Sequence, residues 1–222
     1  MPTSSAAKTA GGRGDAKGAA FRPSAPKPRG RADEVITAAA TLFCERGFDA
    51  TSIQDVADAL SILKGSVYYY IKSKDDLLYA VIDRHHQVAR QHAEKCRAID
   101  GDPITRLSAF LRGYARLLDE YRDTVTVFLN DFERLSKPRR TQIIKERRSY
   151  SEFVTSEIAA AQAAGQVRAD VSPELAALGI LGMYNWAFKW YDPNGSYPAD
   201  VITEEFMRIA LGGILLTPST PS

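Results

Sequence analysis

Residues 51–74, TSIQDVADALSILKGSVYYYIKSK, leave this chain few ways to fold. Apolar Ile53, Val56, Ala57 and Leu60 recur at the spacing of one buried helical face. Thr51 or Ser52 can cap the start of that helix, because a hydroxyl oxygen accepts from an orphan backbone amide. Ser61 and Ile62 make a turn. Leu63, Val67 and Ile71 then follow at four-residue steps and predict a second helix with those three facing inward. Its outer face presents Lys64, Gly65, Ser66, Tyr68 and Tyr69. Two short helices joined by so tight a turn form the shape that lays its second helix in the major groove of DNA. A helical hairpin with buried tyrosines is the competing reading of the same pattern.

The stretch resembles the DNA-binding signature of the TetR family of bacterial transcription regulators. The matching residues are Thr51, Val56-Ala57, Lys64-Gly65-Ser66-Val67-Tyr68, Tyr70, Ser73-Lys74-Asp75 and Leu77, preceded by Arg46-Gly47-Phe48. Two positions depart from the family pattern. Ser61 stands where Gly is usual, and Gly is the residue that turns most easily at positive φ. Leu63 stands where Ser is usual. The resemblance implies that Gln54, Lys64, Gly65 and Tyr68 face base edges. It implies that Thr51, Ser66, Tyr69, Tyr70 and Lys74 lie against the phosphate backbone, which fixes register without reading sequence, and that Ser52 is a further DNA contact.

Composition excludes several other classes. A net charge of +2 gives no general affinity for polyanions, so DNA binding has to come from local placement. Two cysteines, Cys44 and Cys96, fit free thiols in a reducing cytoplasm rather than a disulfide framework. The apolar run from Leu175 to Phe188 is too short to span a bilayer, and the N-terminus has no apolar stretch of a signal peptide. A cytoplasmic chain without a membrane partner is expected. No Gly-rich phosphate loop or Gly-x-Ser-x-Gly occurs, so no catalytic residue and no cofactor is assigned. His85, His86 and His92 lack further ligands at a convincing spacing, so no metal site is expected and they read as helix-surface or pocket-edge residues.

The rest of the chain reads as helices. Residues 1–30 are rich in Gly, Ala, Pro and Ser with scattered Lys and Arg, and read as a disordered basic tail; an arm that follows DNA phosphates is the alternative. A first helix over 31–47 is followed by the two short ones, a long helix from Ser73 to about Ile99, and helices from Pro103, Val125, Arg139, Ser172 and Ala199. Period-two alternation is absent. The expectation is an all-α protein of about nine helices. A helix-turn-helix domain spans 31–77, a ligand-binding and dimerisation domain spans 78–216, and a flexible tail spans 217–222.

In the larger domain, Phe110, Tyr114, Phe128, Tyr150 and Tyr184 lie on inward stripes, interleaved with Asn130, Asp131, Arg134 and Arg147 and followed by Trp186. Aromatic stripes usually fill cores, but an apolar cavity with a few convergent polar groups also describes a small-molecule site. Arg147 falls on the stripe of Ile143 and Tyr150 and predicts either an internal pair with Asp131 or Glu133 or a contact to an anionic ligand. The family resemblance implies a repressor that pairs with its twin through the last two helices and is released from operator DNA by a small effector. Ile62-Leu63 and the segment around Trp186, Lys189-Trp190-Tyr191 and Gly195 resemble the branch that senses CoA thioesters of lipid and steroid breakdown. That branch implies an acyl group among the aromatics and CoA phosphates near Arg134, Arg139, Arg140, Arg147 and Arg148. An uncharged aromatic or drug-like effector is the alternative.

Overall fold

The computed structural model describes residues 30–187, 189–192 and 195–215, and at Leu118 and Asp119 the backbone alone. The basic tail up to Arg29, the turn at Pro193-Asn194 and the tail from Thr217 lie outside the described residues. Among those described, nine α-helices follow in order: α1 (Arg31–Arg46), α2 (Ile53–Ala59), α3 (Lys64–Tyr68), α4 (Lys74–Arg97), α5 (Pro103–Glu120), α6 (Arg122–Asp131), α7 (Lys137–Ala163), α8 (Pro173–Ala187) and α9 (Ala199–Ile214). A single 3₁₀ turn, Phe132–Arg134, joins α6 to α7. The described residues hold no strand; one isolated bridge between Val167 and Leu215 ties the end of α9 to the loop after α7.

Local chemistry sets the helix ends. Ser52 and Asp55 form a reciprocal capping box at α2, and Ser73 accepts from the Asp76 amide at α4. The turn between α2 and α3 is a full Schellman motif: Ile62 N–H donates to Ala57 O and Ser61 N–H to Asp58 O, both at 3.0 Å. Ser61 sits at φ 54°, where the family's usual glycine would be unstrained. The geometry therefore survives the substitution, held by these bonds and by Ile62 packing on the core. Leu63 corrects the sequence reading. It is the N-cap of α3, with extended backbone angles, and its side chain is 80% exposed. A residue outside the helix does not obey the helix period, so Val67 alone anchors α3 fully. Helix α3 is one turn and a fraction, shorter than the expected Leu63–Ile71.

The helices enclose two apolar cores that meet on α4. The first gathers Val35, Ala39 and Phe43 of α1, Val56 of α2 and Val67 of α3, and Leu77, Leu78, Val81 and Ile82 of α4. Val127, Leu135 and Ile143 complete it, so it continues past residue 77 into α6 and α7. The second core gathers Ala89, Ala93 and Cys96 of α4 with Phe110, Tyr114, Tyr150, Phe153, Ile158, Tyr184 and Met207. Alanines on α4 keep that side thin. Gly113 does the same on α5, where a Cβ would stand 2.1 Å from His92 Nε2.

Between the two cores, α4 carries Asp83, His85 and His86, all buried. The sequence placed these histidines at a surface or pocket edge; the surrounding helices cover them instead. Burial depresses both imidazoles: His85 falls from 6.5 to about 4, and His86, also beside His85 and Arg147, falls well below 6.5.

Two outcomes are expected. Ser61→Gly should raise stability by about 0.5–1 kcal/mol, since a left-handed non-glycine residue costs about 1–2 kcal/mol and glycine returns part of that as chain entropy; thermal denaturation reads the change. Stability should also fall with acid. The folded state holds neutral histidines while the unfolded chain protonates them, so the loss starts near the ordinary value of 6.5 and continues down towards about 4. Melting curves of wild type and His85→Phe between pH 7.5 and 5 test this, and the variant should show the shallower decline.

Candidate nucleic-acid interface and effector region

The DNA-facing candidates cluster on α2, α3 and the approach to α4. Lys64, Gly65, Ser66, Tyr68, Tyr69 and Tyr70 are exposed together, and Tyr69 stands edge-on to Tyr70 at 5.0 Å. Gly65 is informative because a Cβ there would meet nothing within 4 Å. A glycine weakens a short helix, and no crowding inside this chain asks for one. Gln54 is exposed and donates to Asp58 Oδ1 at 2.7 Å, while Ser52 is exposed with its hydroxyl engaged by Asp55. Two candidates are placed differently from the sequence expectation. Thr51 is 1% exposed, and its hydroxyl lies 2.9 Å from Gly47 O and 3.3 Å from Leu42 O. It secures the chain's entry into α2, with its side chain inside the surface rather than on it. Lys74 is half-buried, its Nζ 4.3 Å from the centre of the Phe48 ring and 3.2 Å from Asp49 O. Sequence reasoning missed exposed Leu63 and exposed Lys72, which share this surface; Lys72 carried a signal in its place between the tyrosines and Ser73, Leu63 only a misleading one.

Basic residues of the 3₁₀ turn and of α7 touch the same helices. Arg134 pairs with Asp131 at 2.7 Å and with Asp49 at 2.8 Å. Arg139 pairs with Asp76 and donates to Asp75 O at 2.8 Å. Asp131 is pushed up mainly by burial, against the opposing pull of Arg134. Arg140 takes Glu133 and Arg148 takes Glu152. Four of the five arginines expected near CoA phosphates therefore already hold carboxylates. Arg147 is exposed and has no carboxylate partner among the described residues, so the internal pair with Asp131 or Glu133 does not form. Its charge nevertheless acts on His86, Tyr114 and Tyr150. A long side chain on an inward stripe can carry its guanidinium out to the surface past the groups it borders.

Those groups form the aromatic interior expected for the ligand. Phe110 stacks on Tyr114 at 5.4 Å and meets Phe153 at 5.3 Å; Tyr114 lies 5.8 Å from Tyr150 and 6.4 Å from Tyr184. Phe128 reaches His86 at 4.7 Å. Polar atoms thread the cluster: Tyr114 donates to Asn185 Oδ1 at 2.8 Å, and Tyr150 Oη lies 3.2 Å from His86 Nδ1. Burial pushes the Tyr150 phenol up to about 12 and Tyr114 well above its ordinary value, so both stay neutral donors. Asn130 and Trp186 do not join them. Both are exposed, Trp186 by 65%, because α6 and α8 turn those faces outward. Elsewhere, an open groove of about 350 Å³ between α5 and α9 is lined by Arg112, Arg116, Glu120, Asp200, Thr203 and Glu204, none of them a sequence candidate.

A third surface lies on α8 and α9. Leu175, Leu178 and Trp186 form one exposed stripe on α8, and Val201 and Ile209 form another on α9. Gly179, Gly182, Gly212 and Gly213 lie along them with open space where a Cβ would stand. No helix among the described residues is long and apolar enough to cross a membrane, and no group of three or more His, Cys, Asp or Glu among them could hold a metal ion.

Known proteins share this arrangement. Residues 35–81 match the family described as bacterial regulatory proteins, tetR family, and residues 100–214 match the tetracyclin repressor-like C-terminal domain. The HTH-type transcriptional repressor KstR2 of Mycolicibacterium smegmatis is 26% identical over 85% of this chain and 92% of its own. A TetR/AcrR-family regulator from Thermobifida fusca is 34% identical, with TM-score 0.68 over 82% of this chain and 97% of that one. The regulator AibR, solved in complex with isovaleryl coenzyme A and operator DNA, has TM-score 0.71 and 27% identity over 81% of this chain and 97% of that one. The two matched families together cover the reading unit and the helices that carry the aromatic interior, and the chain belongs to the TetR family of transcription regulators.

Proposed function

We propose that this chain is a homodimeric repressor that holds operator DNA through α3 and lets go when an anionic, amphipathic effector occupies the second core. The open face of α3 carries the DNA part of the reading. Lys64, Gly65 and Tyr68 are assigned to base edges, with Gln54 beside them. Ser52, Ser66, Tyr69, Tyr70 and Lys72 are assigned to phosphates, and Lys74 to holding Phe48 in place as well as to the backbone. The apolar stripes of α8 and α9 support a two-fold dimer, which would set two copies of α3 against half-sites about 34–36 Å apart or a multiple of that. Repressor relatives such as KstR2 support the direction of control.

Arg147 favours an effector with an anionic end over an uncharged one, since a guanidinium beside buried aromatics has no acid of its own among the described residues. An acyl-CoA from lipid or steroid breakdown meets that requirement, and the structure of AibR with isovaleryl coenzyme A supports the class. Release needs tighter binding to the form that does not hold DNA; a hundredfold preference supplies about 2.7 kcal/mol of coupling.

A gel shift with the DNA upstream of the chain's own gene tests the repressor. A shift that acyl-CoAs reverse is expected, and no shift with any fragment at low salt contradicts the reading. Lys64→Ala should change the preferred sequence, whereas Lys72→Ala should weaken all sequences alike and lower the salt slope by about one. Leu178→Glu with Ile209→Glu should sediment as a monomer and lose the shift. A wild-type monomer at micromolar concentration would contradict the dimer.

A further inference from the structure

Helix α3 starts without the chemistry that a helix start ordinarily has. Leu63 holds its N-cap position in extended backbone, and no side chain caps the helix there. Ser, Thr, Asn and Asp suit this position because a side-chain oxygen accepts from an orphan amide, and a leucine has none to offer. Helices α2 and α4 do carry such oxygens, in Ser52 and Ser73. Leu63 is also 80% exposed, while its neighbour Ile62 packs against the first core. The side chain therefore supplies neither a cap nor burial, and the fold has no use for its apolar body.

The surroundings indicate what meets it. Residues 63–66 are exposed in succession, and a Cβ on Gly65 would meet nothing within 4 Å, so Leu63 does not fold back over that glycine. Residues 63–74 contain no acid and three lysines, of which Lys64 and Lys72 are exposed. An apolar tip on an electropositive surface fits a polyanion that displays an apolar group. The base edges in the major groove of DNA display hydrogen-bonding atoms and one such group, the C5 methyl of thymine.

We propose that Leu63 is a specificity-determining residue that lies against a thymine methyl in each half-site, beside the bases assigned to Lys64, Gly65 and Tyr68. The inference rests on the DNA reading of α3 above and adds a base that is read without a hydrogen bond. Contact takes both apolar groups out of water, and a cytosine in the same place has no methyl to cover. A serine at this position would cap α3 and can bond to several base edges. Leucine leaves the helix uncapped and narrows the choice to one base.

Equilibrium binding of the full chain to duplex DNA tests the contact one methyl at a time. The duplex is the shortest that the wild type shifts, taken from the DNA upstream of its own gene or selected from random sequences. Each thymine is replaced in turn by uracil, which pairs alike and lacks the methyl. For the wild type, one position in each half-site should lose about fourfold in affinity, the worth of one buried methyl. In Leu63→Ser that loss should vanish, and in Leu63→Met, which keeps an apolar tip, it should remain. If no uracil weakens wild-type binding, or if every loss persists in Leu63→Ser, the contact is overturned and the repressor reading stands. A wild type that shifts no duplex overturns that reading and the contact with it. Melting of the free protein is a readout independent of DNA. Leu63→Ser gains a cap and should melt about 2–4 °C higher. A variant that melts lower would show Leu63 to be a packing residue and would overturn the proposal.

Discussion

The packing of one helix into two separate apolar cores is the constraint on which this molecule depends. Leu77, Leu78, Val81 and Ile82 fix the first half of α4 under the reading unit, and Ala89, Ala93 and Cys96 fix its second half against α5, α7 and α8. Large side chains bind it firmly on one side; small ones let neighbours come close on the other, as Gly113 lets His92 lie against α5. Any displacement of the second half must pass through the joint at Asp83, His85 and His86. The surrounding ion pairs, Arg84–Asp33, Arg90–Glu146, Arg134–Asp49 and Arg139–Asp76, are partly exposed. Each such pair is worth about 0–1 kcal/mol, so apolar burial is the larger contribution to holding α4 in place.

The reading unit is the part most plainly written in the sequence, because its ends are made by local chemistry. The Ser52–Asp55 box, the Ser73 cap and the spacing of Ile53, Val56, Ala57 and Val67 each act within a few residues. Leu63 shows the limit of such spacing: it continues the apolar period of α3 one residue past the helix, where the backbone is an extended cap. Thr51 carries a family motif, yet its hydroxyl is spent on Gly47 and Leu42 carbonyls that only the folded loop brings near.

The second core was legible as an inventory and not as an arrangement. Phe110, Tyr114, Tyr150 and Tyr184 do converge, but α6 and α8 point Asn130 and Trp186 away, a rotation that apolar spacing does not determine. Arg147 lies on the expected stripe, and the length of its side chain decides its exposure. The burial of His85 and His86 had no sequence signal, since histidine is common both on surfaces and inside; only the covering of α4 by α5, α6 and α7 distinguishes the two.

The proposed coupling runs from the second core, along α4, to the separation of the two α3 helices in the dimer. Spin labels at Ala59→Cys in a Cys44→Ser background place a probe on exposed α2, beside but outside the assigned DNA contacts, with buried Cys96 retained. Pulsed electron-resonance distances between the two labels, measured on the operator complex and after saturation with a releasing acyl-CoA, test the account directly. It predicts one narrow distance on DNA and a displaced distribution in the released, effector-bound dimer. An unchanged distribution in dimer that has let go of its DNA would contradict it.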